Sequence, residues 1–368
     1  MKNKQLWMLT LCLVLSSTML FAQSHKTGNT VVEIKNEQFY VNGKPTYEGR
    51  VWKGNKIEGL LINSRMVQGI FDDLNPDTRQ LFKYPDTNTW DPDRNTDEFV
   101  AAMDEWKKYG LNSFTINLQG GSPTGYGNKA WVNSAFHPDG ELRTDFMKRL
   151  QKILNKADDL NMVVMLGIFY FGQDQYLDDE KAVINAVKNS VNWVLQEGYR
   201  NILIEVNNEC DVNAYDHEIL KPARVHELID LVKSMEHKGN RLLASTSYKG
   251  NTAPKPNVVK SSDYILIHGN GVKTTEMMEK LIKATREVEG YRPMPVVINE
   301  DDHYDFEKER NNFTVAIENY VSWGLFDYRR DGESFEEGYQ SVPVDWGINS
   351  ERKRGFFNLV KEVTGGKY

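Results

Sequence analysis

Eight short runs rich in β-branched and aromatic residues recur along the chain, and no other feature limits its possible folds as much. They are VQGIF (67–71), SFTINL (113–118), VVMLGIF (163–169), ILIEV (202–206), LLAST (242–246), YILIH (264–268), PVVIN (295–299) and WGLFDY (323–328). Most are continuously apolar rather than alternating, which predicts strands buried on both faces. Between most of them lie segments with apolar residues at helical spacing. Phe99, Met103 and Trp106 form one such stripe, and Phe146, Leu150, Ile153, Leu154 and Ala157 another. Strand, helix, strand repetition calls for a parallel sheet covered by helices, and eight such units close into a (β/α)8 barrel. A doubly wound open sheet is the alternative. Asn95 and Glu98 have the spacing of a capping box. The connection after LLAST, with Pro254 and Pro256, shows no clear helix.

Two segments precede this repeat. Lys2 and Lys4, the apolar run from Leu6 to Leu15 and the small-residue site at Ala22 predict a cleaved signal peptide over 1–22. The chain is then expected to be exported, to the periplasm or the extracellular space, with no membrane span after cleavage. Cleavage would remove Cys12 and leave Cys210 as the one thiol, so stability must come from a core rather than a disulfide. Residues 31–48 predict a β-hairpin, with Asn42-Gly43 as a two-residue turn. No composition break marks a second domain, so 23–368 is expected to be one catalytic unit. The net charge of −7 and the lack of a basic stripe argue against nucleic acid as a partner. Nothing in the sequence sets the oligomeric state.

Barrel enzymes carry their reacting groups at the C-terminal ends of the strands. That rule reduces 52 acidic residues to a few. The fourth run ends ILIEVNNEC, placing Glu205, Asn207 and Glu209 on one side of a strand. Glu205 would lie inside the barrel, where a carboxylate needs a partner such as an arginine or a hydroxyl. Glu209 would stand at the rim. The seventh run ends PVVINEDDHYD and delivers Glu300, Asp301 and Asp302 to the same rim. Strands four and seven face each other across an eight-membered ring, and a glycosidic bond is cleaved between two such carboxyl groups.

The run E-V-N-N-E at 205–209 resembles the strand-four signature of the clan A glycoside hydrolases, (β/α)8 retaining enzymes that include many cellulases and mannanases. V-V-I-N-E at 296–300 is similar to their nucleophile segment, GLNSFTIN at 110–117 to their second-strand entry, and QFYVNGKPTYEG to an N-terminal hairpin found in many members. Glu300 comes 91 residues after Glu209. The resemblance implies Glu209 as general acid/base, Glu300 as nucleophile and Asn208 as a ligand of the neighbouring sugar hydroxyl. The chain departs from the pattern at four places: Thr115 where an arginine is common near the end of strand two, Cys210 in place of a proline, Tyr328 or Trp323 for the strand-eight tryptophan, and His268-Gly269-Asn270 without the usual tyrosine.

For such chemistry Glu209 should start protonated, its pKa raised by an apolar wall and by Glu300. Glu300 should be ionised, supported by donors such as His268 or Tyr328. The expected sugar-binding set is Asn208, His268, Asn270, Tyr328, Trp323, Asn117 and Trp346. Trp90, Tyr126, Trp131, Tyr170, Tyr304 and Tyr339 are further candidates for stacking on sugar faces. No H-x-H or H-E-x-x-H spacing is present, so neither metal nor cofactor is expected. The function predicted is retaining hydrolysis of a poly- or oligosaccharide, with a catalytically inactive carbohydrate-binding barrel as the alternative.

Overall fold

The computed structural model describes residues 28–126 and 131–366, so the predicted signal segment lies outside the described residues. The chain opens with a three-stranded antiparallel meander, β1 (Val32–Lys35), β2 (Gln38–Val41) and β3 (Lys44–Pro45). The expected hairpin is thus two consecutive hairpins. Their turns place Asn36 and Asn42 at positive φ, which asparagine tolerates better than most residues. A small pair follows, β4 (Val51–Trp52) with β5 (Asn55–Lys56).

Eight parallel strands then alternate with helices: β6 (Asn63–Ser64), β7 (Ser113–Asn117), β8 (Val163–Phe169), β9 (Ile202–Asn207), β10 (Leu243–Ser245), β11 (Ile265–His268), β12 (Val296–Glu300) and β13 (Gly324–Leu325). Ladders join β7 to β10 in order, β11 to β12, and β13 to β6. Single bridges complete the ring. Arg65 pairs with Thr115, Val297 with Ser322 and Asp301 with Leu325, and Asp263 N–H donates to the Ala244 carbonyl across the remaining seam. The fold is a (β/α)8 barrel.

Two expectations about strands and connections need correction. The first strand is Asn63–Ser64, and VQGIF instead forms a 3-10 turn over Val67–Ile70. Both segments are apolar and β-rich nearby, and the pairing partners decide between them: the N–H groups of Asn63 and Arg65 donate to the Trp323 and Leu325 carbonyls. After β10, Pro256 does not break a helix but begins one, at the first position of α6 (Pro256–Ser261).

The remaining helices are α1 (Pro76–Arg79) and α2 (Pro92–Lys108) between β6 and β7, then α3 (Thr144–Asp159), α4 (Glu180–Gln196), α5 (Val225–Ser234), α7 (Thr275–Arg286), α8 (Asn312–Glu318) and α9 (Glu351–Thr364). α3 buries the stripe read from the sequence, Phe146 to Ala157, against the barrel. In α2 the cap is Asp91, which accepts from the Asp93 and Arg94 N–H groups, with Pro92 at the first position. Asn95 is therefore not a cap. It is buried inside the helix, donating to the Gln68 carbonyl and accepting from the Trp346 indole.

The barrel interior changes character along its axis. At the bottom Val163, Met165, Leu203, Leu266 and Val297 form a separate apolar cluster, plugged by Val32 and Phe39 of the meander. Higher up the inward positions turn polar: Asn63, Arg65, Asn117, Glu205 and His268, all buried. One row shows how the ring accommodates them. Asn117 pairs with Gly167, and Gly167 with Glu205. A Cβ on Gly167 would stand 2.1 Å from Asn117 Oδ1, so only glycine leaves room for the inward amide.

Candidate active site

Both strand-end glutamates reach one place. Glu209 follows β9 in a left-handed conformation, φ +51°, a geometry that costs a non-glycine residue roughly 1–3 kcal/mol. Three bonds hold the turn: Glu209 N–H to Ser247 Oγ at 2.9 Å, Cys210 N–H to the Ser247 carbonyl at 2.9 Å, and Tyr215 hydroxyl to the Asn208 carbonyl at 2.5 Å. Cys210 is buried there as a free thiol.

Glu300 arrives by a different device. The register between β11 and β12 shifts after Ile267, so that His268 pairs with Glu300 rather than with Asn299. Asn299 keeps its inward direction and bonds Glu205 Oε1 at 3.4 Å. Two neighbouring side chains of one strand thereby serve the same interior. Glu209 and Glu300 offer carboxylate oxygens within 4.8 Å of each other, with His268 Nδ1 between them, 3.0 Å from Glu209 Oε1 and 3.7 Å from Glu300 Oε2.

Arg65, at the end of the first strand, organises the group. Its guanidinium is buried and reaches Glu300 Oε2 at 2.9 Å, Asn208 Oδ1 at 2.8 Å and Glu205 Oε2 at 3.5 Å. Sequence reading sought this arginine at the end of strand two, where Thr115 stands, and missed it because strand one was placed a few residues late. The alternation Leu61, Asn63, Arg65 in LLINSR is the signal that could have found it. Glu205 has the partners a buried carboxylate requires: Arg65, Asn299 and the Ser247 hydroxyl at 2.6 Å.

The protonation pattern differs from the expectation in direction. Burial raises the Glu209 pKa, but the His268 hydrogen bond and charge, with Arg65, outweigh it and hold the carboxyl below its ordinary value. Burial pushes Glu300 above its ordinary value, Glu209 and Glu205 add to this, and Arg65 and His268 oppose it. His268 is raised: burial lowers it, and the two glutamates more than compensate. Glu209 and His268 are therefore coupled, and the proton between them is drawn towards the imidazole. Hydrogen bonding favours the ionised form of Glu300 against this burial. Its two short bonds come from Arg65 Nε and from Asn270 Nδ2 at 2.6 Å, atoms that can only donate.

The other expected residues divide sharply. Asn208 and Asn270 touch the central groups, and Tyr170 and Tyr126 border them, Tyr126 through Asn270. His268 is fully buried against Glu209, so it serves the carboxylate rather than the mouth. Tyr328 does not donate to Glu300; it packs edge-on against Tyr126 at 4.9 Å. Asn117 lies in the Glu205 row, below the rim. Trp323 and Trp346 are core residues. Trp323 stacks on Phe313 at 5.0 Å and donates to Asp301, and Trp346 stacks on Tyr339 at 6.0 Å and donates to Asn95. Trp131 and Tyr339 are buried as well, and Trp90 stacks on Tyr84.

Among the described residues two clusters have the side chains to bind a cation. The first is Glu209, His268 and Glu300, where a cation would face the Arg65 guanidinium at 2.9 Å from Glu300. In the second, Asp301 already accepts from Trp323, Asn312 and His303.

No family model and no curated protein matches the sequence. Solved structures do match. A β-1,4-D-mannanase from Cryptopygus antarcticus aligns with TM-score 0.54 at 13% identity, over 92% of this chain and 97% of the other. A broad-specificity endoglucanase, GH5-4, from Ruminococcus flavefaciens gives 0.54 at 14%, over 83% and 96%. The chain shares the (β/α)8 fold of these two enzymes. A glycoside hydrolase family 5 protein from Bacteroides vulgatus gives 0.54 at 14%, over 90% and 69%. One further match, a putative glycoside hydrolase from the same organism, is longer, and the chain spans 60% of it. Among the described residues no helix is long and apolar enough to cross a membrane.

Proposed function

We propose that the protein is a retaining glycoside hydrolase acting on a poly- or oligosaccharide, with Glu300 as nucleophile and Glu209 as general acid/base. The observation that carries this reading is the pair of strand-end carboxylates with oxygens within 4.8 Å of each other. Retaining enzymes hold their two carboxyl groups about 5–5.5 Å apart, whereas inverting enzymes leave roughly 6.5–9.5 Å for a water.

In the first step a Glu300 oxygen bonds to the anomeric carbon as the bond from that carbon to the leaving oxygen breaks. Glu209 gives its proton to that oxygen. Only Glu209 Oε1 is engaged by His268, which leaves Oε2 for the sugar side. The proton that Glu209 gives reaches it from His268 Nδ1, so the first step leaves Glu209 as a carboxylate beside a neutral imidazole. In the second step water gives a proton to Glu209 and its oxygen to the anomeric carbon, and Glu300 is released as a carboxylate. Arg65 and Asn270 fix Glu300 throughout and favour its ionised form. The bond from Arg65 to Asn208 Oδ1 leaves the Asn208 amide NH2 as a donor, which supports its assignment to the sugar hydroxyl next to the scissile bond.

The segment 1–22 supports an exported enzyme. The activity is tested with a panel of aryl glycosides and polysaccharides, with Glu300→Gln as control. Sugar release by the wild type and not by the variant supports the reading; binding without turnover by either would favour a carbohydrate-binding barrel instead.

A further inference from the structure

The loop after β7 does more than connect. Residues 119–123 and 125 are buried, and the loop is fixed to two other parts of the rim. On one side it joins the segment after β13. Val342 N–H donates to the Pro123 carbonyl at 2.8 Å, and Gln340 Nε2 to the Gly121 carbonyl at 2.7 Å. On the other side Ser122 Oγ lies 3.0 Å from the Tyr170 hydroxyl. Gly125, φ +87°, presses on the Tyr328 ring so closely that a Cβ there would stand 2.7 Å from it.

At the tip stands Tyr126, 54% exposed. Its ring rests on Phe326 and Tyr328, with centroids 5.5 and 4.9 Å away. Its hydroxyl donates to Asp302 at 2.9 Å and accepts from Asn270 Nδ2 at 3.0 Å. A side chain from the second strand's loop thus crosses the mouth to the sixth and seventh strands, on the Glu300 side. Among the described residues the opposite rim is more open. After Glu209, Asn213 and Ala214 are exposed, as is Lys249 beyond β10.

We infer that the Tyr126 wall closes the sugar-binding cleft on the nucleophile side, so that the enzyme acts on the non-reducing ends of its chains rather than on internal bonds. This rests on the roles proposed for the two glutamates. Glu209 protonates the leaving oxygen, so the departing chain lies towards the open rim. Glu300 attacks the sugar that keeps the anomeric carbon, and that sugar lies against the wall. A chain running on past it would have to pass through Tyr126, Tyr328 and the loop bonded behind them. The exposed Tyr126 ring offers the terminal sugar a face to stack on.

The test uses six-residue β-1,4-linked gluco-, manno- and xylo-oligosaccharides labelled at the reducing end, beside 4-nitrophenyl monosaccharides of both anomeric configurations. The full chain is expected to shorten a labelled chain by one or two units at a time and to release 4-nitrophenol from the matching monosaccharide. Tyr126→Ala should produce labelled fragments from internal cuts and bind the monosaccharide with a KM raised about tenfold. Tyr126→Phe, which keeps the ring, should keep the end preference. Internal cuts by the wild type from the start of the reaction, lost in Glu300→Gln, would overturn the inference and leave the hydrolase reading standing. No cleavage of any probe by the wild type would overturn both.

Discussion

Replacing Arg65 by methionine removes one positive charge from among three buried or nearly buried carboxylates. In the native protein the guanidinium bonds Glu300 at 2.9 Å and Asn208 at 2.8 Å and pairs with Glu205 at 3.5 Å, with 1% of its side chain exposed. Methionine fills the stem but supplies no donor. Removing one partner of a buried ion pair costs about 3–5 kcal/mol, because the other is left charged and unsolvated. For a domain of this size that lowers Tm by on the order of 5–10 °C. The pH dependence gives the sign. Burial already raises Glu300, and Arg65 is the largest opposing influence. Without it the Glu300 pKa rises further, and the acid limb of kcat/KM, which reports ionisation of the nucleophile, moves to higher pH. A carboxyl whose folded pKa lies above its unfolded value destabilises the fold once it is ionised. The stability deficit of Arg65→Met should therefore be largest at neutral pH and shrink as the pH falls towards the unfolded carboxylate range. Calorimetry from pH 4.5 to 8 and a pH–rate profile read both effects. A variant melting within about 1 °C of wild type at pH 7, with an unmoved acid limb, would refute the view that Arg65 neutralises this cluster.

The remaining expectations address the catalytic pair and the packing beneath it. Glu300→Ala should lower kcat by about 10⁴-fold or more on every substrate, whereas Glu209→Ala should recover much of its rate on dinitrophenyl glycosides, whose leaving group needs no proton; equal losses on activated and natural substrates would tell against the two roles. His268→Gln removes the group whose raised pKa retains the shared proton, so the alkaline limb of kcat/KM should move to lower pH, and an unchanged limb would show that the imidazole does not hold that proton. Gly167→Ala puts a Cβ 2.1 Å from Asn117 Oδ1 and should cost about 1–3 kcal/mol, partly relieved by adding Asn117→Ala; a urea midpoint equal to wild type would mean that the ring relaxes freely there.

The barrel could be read in the sequence because seven of its strands lie within short runs rich in β-branched and aromatic residues, most of them apolar on both faces. The first strand escaped because it is two residues long, Asn63–Ser64, and lies beside Val67–Ile70, whose composition is equally suited to a strand. Pairing with β13 decides between them, and pairing is a long-range fact. The same error hid Arg65. Glu209 and Glu300 were legible because each ends an apolar strand, the place where a barrel gathers its reacting groups and where an unpaired charge is costly. Their electrostatics were not. The direction of each pKa depends on His268 Nδ1 lying 3.0 Å from Glu209, and that position follows from the register shift after Ile267, which no local pattern announces. Aromatic residues were the least legible. Tyr126 borders the site while Trp323 and Trp346 fill the core, and a ring's composition and spacing are the same in both settings.

Double displacement across the Glu209–Glu300 pair is the central claim, and proton NMR of the first-formed sugar, recorded before mutarotation, tests it most directly. Carboxylate oxygens within 4.8 Å of each other favour a direct bond from Glu300 to the anomeric carbon over an interposed water, so the product should keep the anomeric configuration of the substrate. An inverted first product would contradict the mechanism, and would do so even though the barrel and its two strand-end glutamates stood unchanged.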